Sequence, residues 1–317
     1  MTPPTGRLRL ATRGSPLARW QARRVAALLA AVGVEAELVV VDTEGDRRTD
    51  VSLAELGGQG VFVTEVQAAV ARGEADAAVH SAKDLPASPD LVPPDLVLAA
   101  FPERGDPRDV LVGSTLDGLP TGATVATGSA RRRVQLANSR PDLTFADLRG
   151  NLATRLAKVG AQGVTAVVVA RAALDRLGWT PPPGQAVDTL APRIMLPQVA
   201  QGALAVECRA DDDRTRAALA AVDDPRIRRV VEAERAFLAE LGGGCTLPVG
   251  AHAELAAPDD PLTGDLIVTG MVAGADGHVV LRHEATGPDG PALGRTVARY
   301  LLDDAGGADL GPWRPAS

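Results

Sequence analysis

The sequence has almost nothing with which to build a disulfide framework or a membrane anchor. Two of its 317 residues are cysteines, Cys208 and Cys245, too few for a network of cross-links. No stretch approaches the roughly 18 uninterrupted apolar residues that cross a bilayer. The polar stretch Met1–Arg13 leads into no apolar run of signal-peptide length. We therefore expect a soluble cytoplasmic protein that does not bind membranes.

Aromatic residues, histidines and excess positive charge are also scarce. Aromatics make up 3% of the chain and the formal net charge is −7, whereas nucleic-acid-binding proteins usually have a basic domain or aromatic stacking platforms. No heptad pattern or large apolar stripe points to a partner chain. Metal-ligand spacing is absent among the histidines His80, His252, His278 and His283. We expect no nucleic-acid partner, no metal site and a monomer.

Positive charge is nevertheless concentrated in one segment. Between Thr127 and Lys158 the anions are Asp142 and Asp147. The cations there are Arg131, Arg132, Arg133, Arg140, Arg149, Arg155 and Lys158. The planar guanidinium of arginine suits a carboxylate, to which it donates two parallel hydrogen bonds. The segment is therefore a candidate anion-binding site.

Alternating strand and helix patterns predict an α/β fold. Leu8–Ala11 is typical of a strand, Ser15 and Pro16 of a helix start, and Gly33 of a helix end. Glu37–Val41 is apolar and β-branched. The stretch therefore predicts a βαβ unit with a parallel sheet.

The same alternation continues along the chain. The further predicted strands are Ala75–Val79, Leu96–Phe101, Thr124–Ala126, Ala166–Ala170, Gly202–Cys208, Leu266–Val272 and Val279–His283. The further predicted helices are Val63–Ala71, Ala130–Asn138, Leu152–Lys158, Ile227–Leu241 and Leu293–Leu302. Asp276 and Gly277 predict a hairpin turn between the last two strands. The pattern predicts two α/β lobes, the second starting near Pro102, and a small α+β third domain.

Three polar segments follow predicted strands, at the places where open α/β sheets bind ligands. They are Thr12–Ser15, His80–Asp84 and Thr127–Arg132. One such segment alone is more typical of a capped helix with a solvated charge, but three together favour an anion-binding cleft. Lys83 beside Asp84 is either a solvated ion pair or part of a site where an ionised carboxylate stabilises a cationic intermediate.

The two cysteines have different surroundings. Cys208 lies in an apolar strand pattern, which predicts a buried and inert thiol. Cys245 directly follows three glycines, Gly242 to Gly244, where the backbone can adapt to an attached group. A cysteine in such a turn is either structural or a covalent anchor.

Taken in chain order, these segments resemble the porphobilinogen deaminase family. The matching stretches are Ala11–Ala18 with Gln21, Gly57–Phe62, Ala78–Pro86, Gly128–Arg132 with Gln135 and Leu136, Leu148–Asn151 through Thr154–Leu156, Leu174–Gly178, Gln201–Leu204 and Gly243–Val249. Each stretch alone is a modest signal. Together, in the family's order over most of the chain, they are specific.

The resemblance implies a three-domain enzyme whose first two lobes are similar to periplasmic binding proteins. Domain 1 would comprise 1–101 and 200–222 with the catalytic carboxylate, domain 2 would comprise 102–199 with the arginine-rich clamp, and domain 3 would comprise 223–317 with the cofactor loop. The implied activity is that of a transferase, hydroxymethylbilane synthase. It condenses four porphobilinogen molecules, with loss of ammonia, onto a covalent dipyrromethane primer and releases hydroxymethylbilane for porphyrin (haem) biosynthesis.

The resemblance also implies roles for individual residues. Asp84 would be the catalytic carboxylate, assisting loss of ammonia, stabilising the azafulvene cation and handling the pyrrole proton. Cys245 would hold the dipyrromethane through a thioether. The other cofactor-binding residues would be Lys83, Thr127, Ser129, Arg131, Arg132, Asn151 and Arg155. The substrate-binding residues would be Arg13, Ser15, Gln21, Phe62, Arg149, Arg176 and Gln201. Each pyrrole ring carries two carboxylates, which suits a basic cleft in an acidic protein.

Three positions depart from the family pattern. Gln59 stands where lysine is expected, and Ala173 and Ala200 stand where glycine is expected. Gln59 removes one cation. Each alanine adds a methyl group where the backbone either approaches a neighbour closely or takes a positive φ. We interpret all three as tolerated variation.

Two rival hypotheses share the fold. A non-catalytic, two-lobed protein that binds small anions needs the arginines but has no use for Asp84 or Cys245, and such proteins are usually exported. A family member that binds tetrapyrroles without turnover would not need both residues either. A steady-state assay discriminates between these and the enzyme.

Overall fold

The computed structural model describes residues 7–43, 63–88, 91–242, 247–257, 260, 262–311 and 313. The chain divides into two compact units, Met1–Gly105 with Gly202–Arg229, and Asp106–Gln201 with Val230–Ser317. Each unit contains a five-stranded mixed sheet with helices, and the second also contains a three-stranded antiparallel sheet. The predicted class, α/β with two lobes and a small α+β part, is confirmed.

The first unit contains one sheet in which parallel and antiparallel strands mix. Its strands are β1 (Leu8–Arg13), β2 (Ala36–Val41), β3 (Ala77–Ser81), β4 (Leu96–Ala100) and β10 (Leu204–Arg209). Their order across the sheet is β2-β1-β3-β10-β4. β1 runs parallel to β2 and β3, and β10 runs antiparallel to β3 and β4. The predicted parallel βαβ unit is confirmed, and the carboxyl ends of β1 and β3 lie at the same edge.

Helix α1 (Pro16–Ala31) begins where the sequence predicts. The Ser15 hydroxyl accepts a hydrogen bond from the N–H of Ala18 at 3.3 Å, which satisfies one of the unpaired donors at the helix start. Gly33, just past the end, has a φ of +82°, the left-handed conformation that favours glycine. The ends of α1 therefore follow from local sequence.

Two hydrophobic clusters cover opposite faces of the first sheet, because successive side chains of a strand alternate between faces. Leu8 and Leu10 pack with α1 and with α6 (Asp213–Ala220). Ala11 packs with α2 (Thr64–Ala71) on the other face. Both faces of the sheet are thus buried, and the strand ends are left for polar side chains.

The second unit repeats this plan. Its first sheet contains β5 (Asp109–Val112), β6 (Thr124–Ala126), β7 (Thr144–Ala146), β8 (Val164–Ala170) and β9 (Val187–Leu190). The order is β7-β6-β8-β5-β9, with β6 parallel to β7 and β8, and β5 antiparallel to β8 and β9. The helices that follow β6, β7 and β8 are α3 (Ala130–Ser139), α4 (Leu152–Leu156) and α5 (Arg171–Arg176).

A three-stranded antiparallel sheet completes the second unit. Its strands are β11 (Val249–Leu255), β12 (Leu266–Ala273) and β13 (Val280–Gly287), and the helices of this part are α7 (Pro225–Glu240) and α8 (Gly290–Arg299). The predicted hairpin is confirmed, with Gly277 at a φ of +77°. The predicted final helix differs, since α8 ends at Arg299 and a π-helical turn, Tyr300–Asp304, follows.

Several elements have no counterpart in the sequence prediction: the short strands β5, β7 and β9, the seven-residue strand β11, and the helices α5 and α6. A strand of three or four residues contains too few positions for a period of two to be recognised, and pairing with distant neighbours stabilises it. Within the described ranges, no helix combines the length and apolar character needed to cross a membrane.

Candidate functional site

The first unit has a pocket at the carboxyl ends of β1 and β3. Its lining includes Arg13, Ser15, Gln21, Ser81 and Asp84. Four of these were predicted as site residues, and the pocket brings the proposed catalytic carboxylate together with three proposed substrate-binding side chains. Two of the three polar segments that follow predicted strands thus contribute side chains to one pocket at the edge where β1 and β3 end.

Hydrogen bonds within the first unit fix this pocket. The Gln21 amide of α1 donates to the Ser81 hydroxyl at 2.8 Å, and Gln21 itself is buried. The Thr12 hydroxyl donates to the carbonyl of Ala18 at 3.1 Å. The end of β1, the first turns of α1 and the end of β3 are therefore linked through side chains.

Asp84 is held by a short helical turn rather than by a flexible loop. The turn, Ala82–Asp84, is a 3₁₀-helix directly after β3. The N–H of Ala82 donates to the carbonyl of Ala203 at 3.0 Å. This hydrogen bond connects the turn to the residue directly before β10. Asp84 and Lys83 are both half-buried. The carboxylate is thus partly screened from water while it still lines the pocket.

A buried histidine lies in the same pocket as Asp84 and pairs with a buried carboxylate, and the sequence predicted no role for either. His80 also lines the pocket, and its Nε2 is 3.0 Å from a carboxylate oxygen of Glu207. The Gln67 amide donates to both oxygens of Glu207, at 3.0 and 3.2 Å. All three side chains are buried. Their pairing across β3, β10 and α2 spans too much sequence for a motif to reveal it.

In the second unit, the predicted segment Thr127–Arg132 forms the start of α3. Ser129 is the N-cap, and its hydroxyl accepts from the N–H of Arg132 at 3.4 Å. The N–H of Ser129 donates to the hydroxyl of the buried Thr127 at 3.2 Å. This turn presents hydroxyl groups and the amide end of a helix at the carboxyl end of β6, where an anion is stabilised.

The loop that leads into α4 approaches this turn closely. A Cβ atom at Gly128 would lie 2.9 Å from the carbonyl oxygen of Leu148, so glycine permits the contact. Arg149 is half-buried on this loop, and Asn151 is the N-cap of α4, accepting from the N–H of Thr154 at 3.0 Å. The structure thus brings the Arg149–Asn151 segment to the start of α3, as a shared ligand would require.

Arg131 and Arg132 are almost completely buried, with 3% and 6% of their surfaces exposed. Asp109 of β5 accepts from both guanidinium groups, at 2.7 Å in each case. The Gln201 amide donates to the same carboxylate at 2.9 Å. Asp109 therefore joins three of the predicted binding residues. No motif in the sequence marks Asp109, because it lies far along the chain from its partners, within a short strand.

The cluster of Asp109, Arg131 and Arg132 contains more positive than negative charge. Burial alone would raise the pKa of Asp109, but the charges of Arg131 and Arg132 and the hydrogen bonds from Arg132 and Gln201 hold that pKa well below its usual range. Burial lowers the pKa of Arg131, and the attraction of Asp109 opposes this. One anion and two cations leave a net positive charge among these three side chains.

Arg131 also faces a small pocket of the second unit. The pocket is lined by Ser129, Arg131, Gln198, Val199, Leu238, Leu247 and Val249. The Nε of Arg131 is buried and, in the described part of the chain, has no hydrogen-bond partner. An unpaired buried donor costs free energy, about 1–3 kcal/mol, and a carboxylate placed here would accept from it.

The remaining predicted residues of the second unit lie at strand or helix ends. Arg155 in α4 donates from Nε to the carbonyl of Gly150 at 2.8 Å. Arg176 is buried at the end of α5. The three predicted residues Phe62, Cys245 and Gln59 lie outside the described residues.

Cys208 is a buried thiol, as predicted. It is fully buried in β10, and burial raises its pKa to about 11. A thiol with so high a pKa is almost entirely protonated at neutral pH and is a poor nucleophile. Cys208 therefore has the properties of a structural residue.

The two alanines that depart from the family pattern behave differently. Ala200 is fully buried and has a φ of +59°, so the expected positive φ is confirmed there. Ala173 lies within α5, where the backbone is right-handed and alanine is favourable. Only at Ala200 does the methyl group carry a conformational cost.

Fold and site together define an α/β protein with a carboxylate in the pocket of one unit and a cluster of buried arginines in the other. Residues 8–217 match the family described as "Porphobilinogen deaminase, dipyromethane cofactor binding domain", and 229–303 match "Porphobilinogen deaminase, C-terminal domain". The chain therefore belongs to the porphobilinogen deaminase family, and its activity is that of a transferase, hydroxymethylbilane synthase.

Two relatives agree with this assignment. The porphobilinogen deaminase of Syntrophus aciditrophicus is 46% identical over 94% of this chain and 96% of its own length. That of Acidothermus cellulolyticus is 47% identical over 93% of this chain and 88% of its own length. Among solved structures, a methionine binding protein aligns with 70% of this chain and 92% of its own at a TM-score of 0.41 and 13% identity.

The second unit fits the acidic dipyrromethane cofactor of this family. Two buried arginines outnumber the carboxylate between them, and the unpartnered Nε of Arg131 lines a pocket beside Leu247. A carboxylate would complete both the charge and the hydrogen bonding. The hydroxyls of Thr127 and Ser129 add further donors near the same place.

Proposed function

We propose that this chain condenses four porphobilinogen molecules, one at a time, onto a dipyrromethane primer attached to Cys245 through a thioether, and releases hydroxymethylbilane. The observation that carries the assignment of residues is the pocket shared by Asp84, Arg13, Ser15 and Gln21. It combines a cation for a substrate carboxylate with a carboxylate for developing positive charge. A protein that only binds anions gains nothing from the carboxylate.

In the first unit, Arg13 and Ser15 bind and orient a carboxylate of porphobilinogen. Asp84 stabilises the positive charge that develops on the substrate as its carbon–nitrogen bond breaks and the nitrogen departs as ammonia. Asp84 then accepts, directly or through water, the proton that leaves the pyrrole carbon once the new carbon–carbon bond has formed. Gln21, held by Ser81, fixes the wall of the pocket.

In the second unit, Arg131, Arg132, Arg149 and Arg155 bind the carboxylates of the cofactor and of the growing chain. When bound, the cofactor supplies the nucleophilic pyrrole carbon to which the first substrate is joined. Thr127, Ser129 and Asn151 add hydrogen bonds in this unit, and Arg176 and Gln201 contribute to substrate binding. Lys83 and Phe62 belong to the first unit, and we assign them to cofactor binding and substrate binding, respectively. Buried arginines suit this task because their charge persists and their geometry is fixed.

We also propose that the protein acts as a cytoplasmic monomer without a nucleic-acid partner. The net charge of −7 and the 3% aromatic content support the last point. The buried thiol of Cys208 is compatible with the reducing cytoplasm. Size-exclusion chromatography with light scattering measures the oligomeric state, and a dimeric mass would overturn the monomer.

The intact mass of the purified protein, before and after addition of porphobilinogen, tests the proposed reaction. We expect an excess over the polypeptide equal to one dipyrromethane, which then increases in single-ring steps. A bare polypeptide mass that porphobilinogen and preformed hydroxymethylbilane both leave unchanged would contradict the proposal and favour the non-catalytic anion-binding protein.

Counting thiols tests the attachment to Cys245, with Cys208 as an internal standard. In denaturant, the loaded protein should react at one thiol and the unloaded protein at two, because the thioether blocks Cys245. The matched variant Cys245→Ser should show one reactive thiol under both conditions and no cofactor mass. Two reactive thiols in protein that carries the cofactor mass would exclude this attachment.

A further inference from the structure

Asp109 receives an unusual number of hydrogen bonds for one carboxylate. Its Oδ2 accepts from Nη2 of Arg131 at 2.7 Å. Its Oδ1 accepts from Nε and Nη2 of Arg132, at 3.1 and 2.7 Å, and from the Gln201 amide at 2.9 Å. The side chain has no exposed surface. We propose that Asp109 is the positioning residue that orients both arginines, and so sets the affinity of the second unit for an acidic ligand; this inference rests on the proposed function.

The hydrogen bonds of Arg131 decide which of its edges a ligand can reach. Nη2 donates to Asp109 and Nη1 donates to the carbonyl of Leu196 at 2.5 Å. Nε is then the donor without a partner in the described part of the chain, and the side chain lines the pocket with Ser129 and Val249. Asp109 thereby turns the guanidinium so that Nε, which is buried, is the nitrogen left without a partner beside the pocket.

Arg132 is fixed in the same way from the opposite side. Nε and Nη2 donate to Asp109, and Nη1 donates to the carbonyl of Val168 at 3.0 Å. Each guanidinium has five N–H groups, so donors remain on Nη1 and Nη2. Because α3 places Arg131 and Arg132 next to each other, a single carboxylate between them holds both side chains in fixed rotamers.

The charge of Asp109 explains how two arginines can be buried side by side. Without it, two like charges would lie next to each other in a medium of low polarity, which is unfavourable. With two aspartates, the cluster would have no net charge, and an anionic ligand would gain no net attraction. One carboxylate between two guanidinium groups leaves the charge that favours binding of a carboxylate.

The matched control for this arrangement is Asp106, three positions earlier in the chain. Asp106 also pairs with an arginine, accepting from Nε of Arg108 at 2.9 Å, but the Arg108 side chain is 45% exposed. An exposed ion pair contributes little to stability, because water screens its charges. Asp106→Asn therefore removes the same charge from the same segment without affecting Arg131 or Arg132.

The test compares cofactor loading of Asp109→Asn, Asp109→Glu and Asp106→Asn with that of the unchanged protein. Unloaded protein is mixed with increasing preformed hydroxymethylbilane, and intact mass follows formation of the loaded form. We expect Asp109→Asn to raise the half-saturating concentration at least tenfold while the plateau rate per folded molecule is kept. Asp106→Asn should stay within twofold.

Half-saturation separates positioning from a loss of folded protein, because unfolding lowers the plateau and leaves half-saturation unchanged. Asp109→Glu keeps the charge but moves the carboxylate by one methylene group. If Asp109→Asn fails to fold, Asp109→Glu tests whether the position of the carboxylate controls cofactor loading. We expect impaired half-saturation in it as well.

Half-saturation within threefold of the unchanged protein in every folded variant of Asp109 would overturn the inference. Failure of the unchanged protein to gain the cofactor mass would instead overturn the proposed function, so the two failures are distinguishable.

Discussion

Substitution of Glu234 is expected to destabilise the second unit strongly. Glu234 lies on α7 and has no exposed surface. Its two carboxylate oxygens accept from different backbone segments, Oε2 from the N–H of Ala200 at 2.7 Å and Oε1 from the N–H of Ala253 at 2.8 Å. The side chain therefore connects α7 both to β11 and to the turn that precedes β10.

The size of the effect follows from these two hydrogen bonds. Glu234→Gln keeps the shape but replaces one oxygen by an NH₂ group that faces an N–H donor. One bond to a charged group is lost, at about 1.5–3 kcal/mol, and one buried N–H becomes unpaired. We expect a loss of about 3 kcal/mol in the free energy of unfolding. For a domain of about 150–250 residues this lowers Tm by roughly 6–12 °C.

Hydrogen exchange measured by mass spectrometry locates the effect. Peptides that contain Ala200 and Ala253 should exchange about a hundredfold faster in Glu234→Gln, since every 1.4 kcal/mol corresponds to about tenfold. Glu240→Gln on the same helix is the control, because Glu240 pairs with Arg299, whose side chain is 60% exposed. Unchanged exchange of both peptides, with Tm within 2 °C of the control, would refute the reasoning.

Three further predictions concern other parts of the molecule. Asp84→Asn should abolish turnover while mass spectrometry still finds the cofactor attached; retained turnover would exclude Asp84 as the catalytic carboxylate. Gly128→Ala should destabilise the protein by about 1–3 kcal/mol and weaken cofactor loading, because its Cβ would meet the Leu148 carbonyl; Gly287→Ala, whose Cβ has ordinary contacts, is the control in urea unfolding. Cys208 titrates in the alkaline range: its pKa is raised from 9.0 to about 11, so its contribution to stability is complete below about pH 9 and is lost as pH rises towards 11. About 2–3 kcal/mol should disappear over this range, and urea unfolding of Cys208→Ala should show a correspondingly smaller loss.

Local signals in the sequence predicted the parts of the fold that depend on neighbouring residues. The start of α1 follows from Ser15 and Pro16, and the start of α3 follows from Ser129, each of which caps its helix in the structure. The polar residues that line the pocket of Asp84 were found in the same way, because ligand-binding residues of open α/β sheets follow the carboxyl ends of strands. Such features need no knowledge of distant contacts.

The buried carboxylates could not be predicted in this way. Asp109, Glu207 and Glu234 each accept hydrogen bonds from residues on other elements, and their own surroundings in sequence resemble ordinary strands or helices. An aspartate at the start of a four-residue strand is usually exposed. Its burial becomes reasonable only when Arg131 and Arg132, brought by another helix, supply the opposite charge.

The turn from Leu196 to Gln201 can be understood only from the sequence and the structure together. Sequence marks Ala200 as a departure from glycine, and the structure gives its φ of +59°, which costs about 1–2 kcal/mol for a residue with a Cβ. Glu234 accepts from the N–H of Ala200, and Asp109 accepts from the side chain of Gln201. Two buried carboxylates thus hold a conformation that alanine disfavours. The carbonyl of Leu196, in the same turn, accepts from Arg131, so the orientation of this buried arginine depends on the turn that the two carboxylates stabilise.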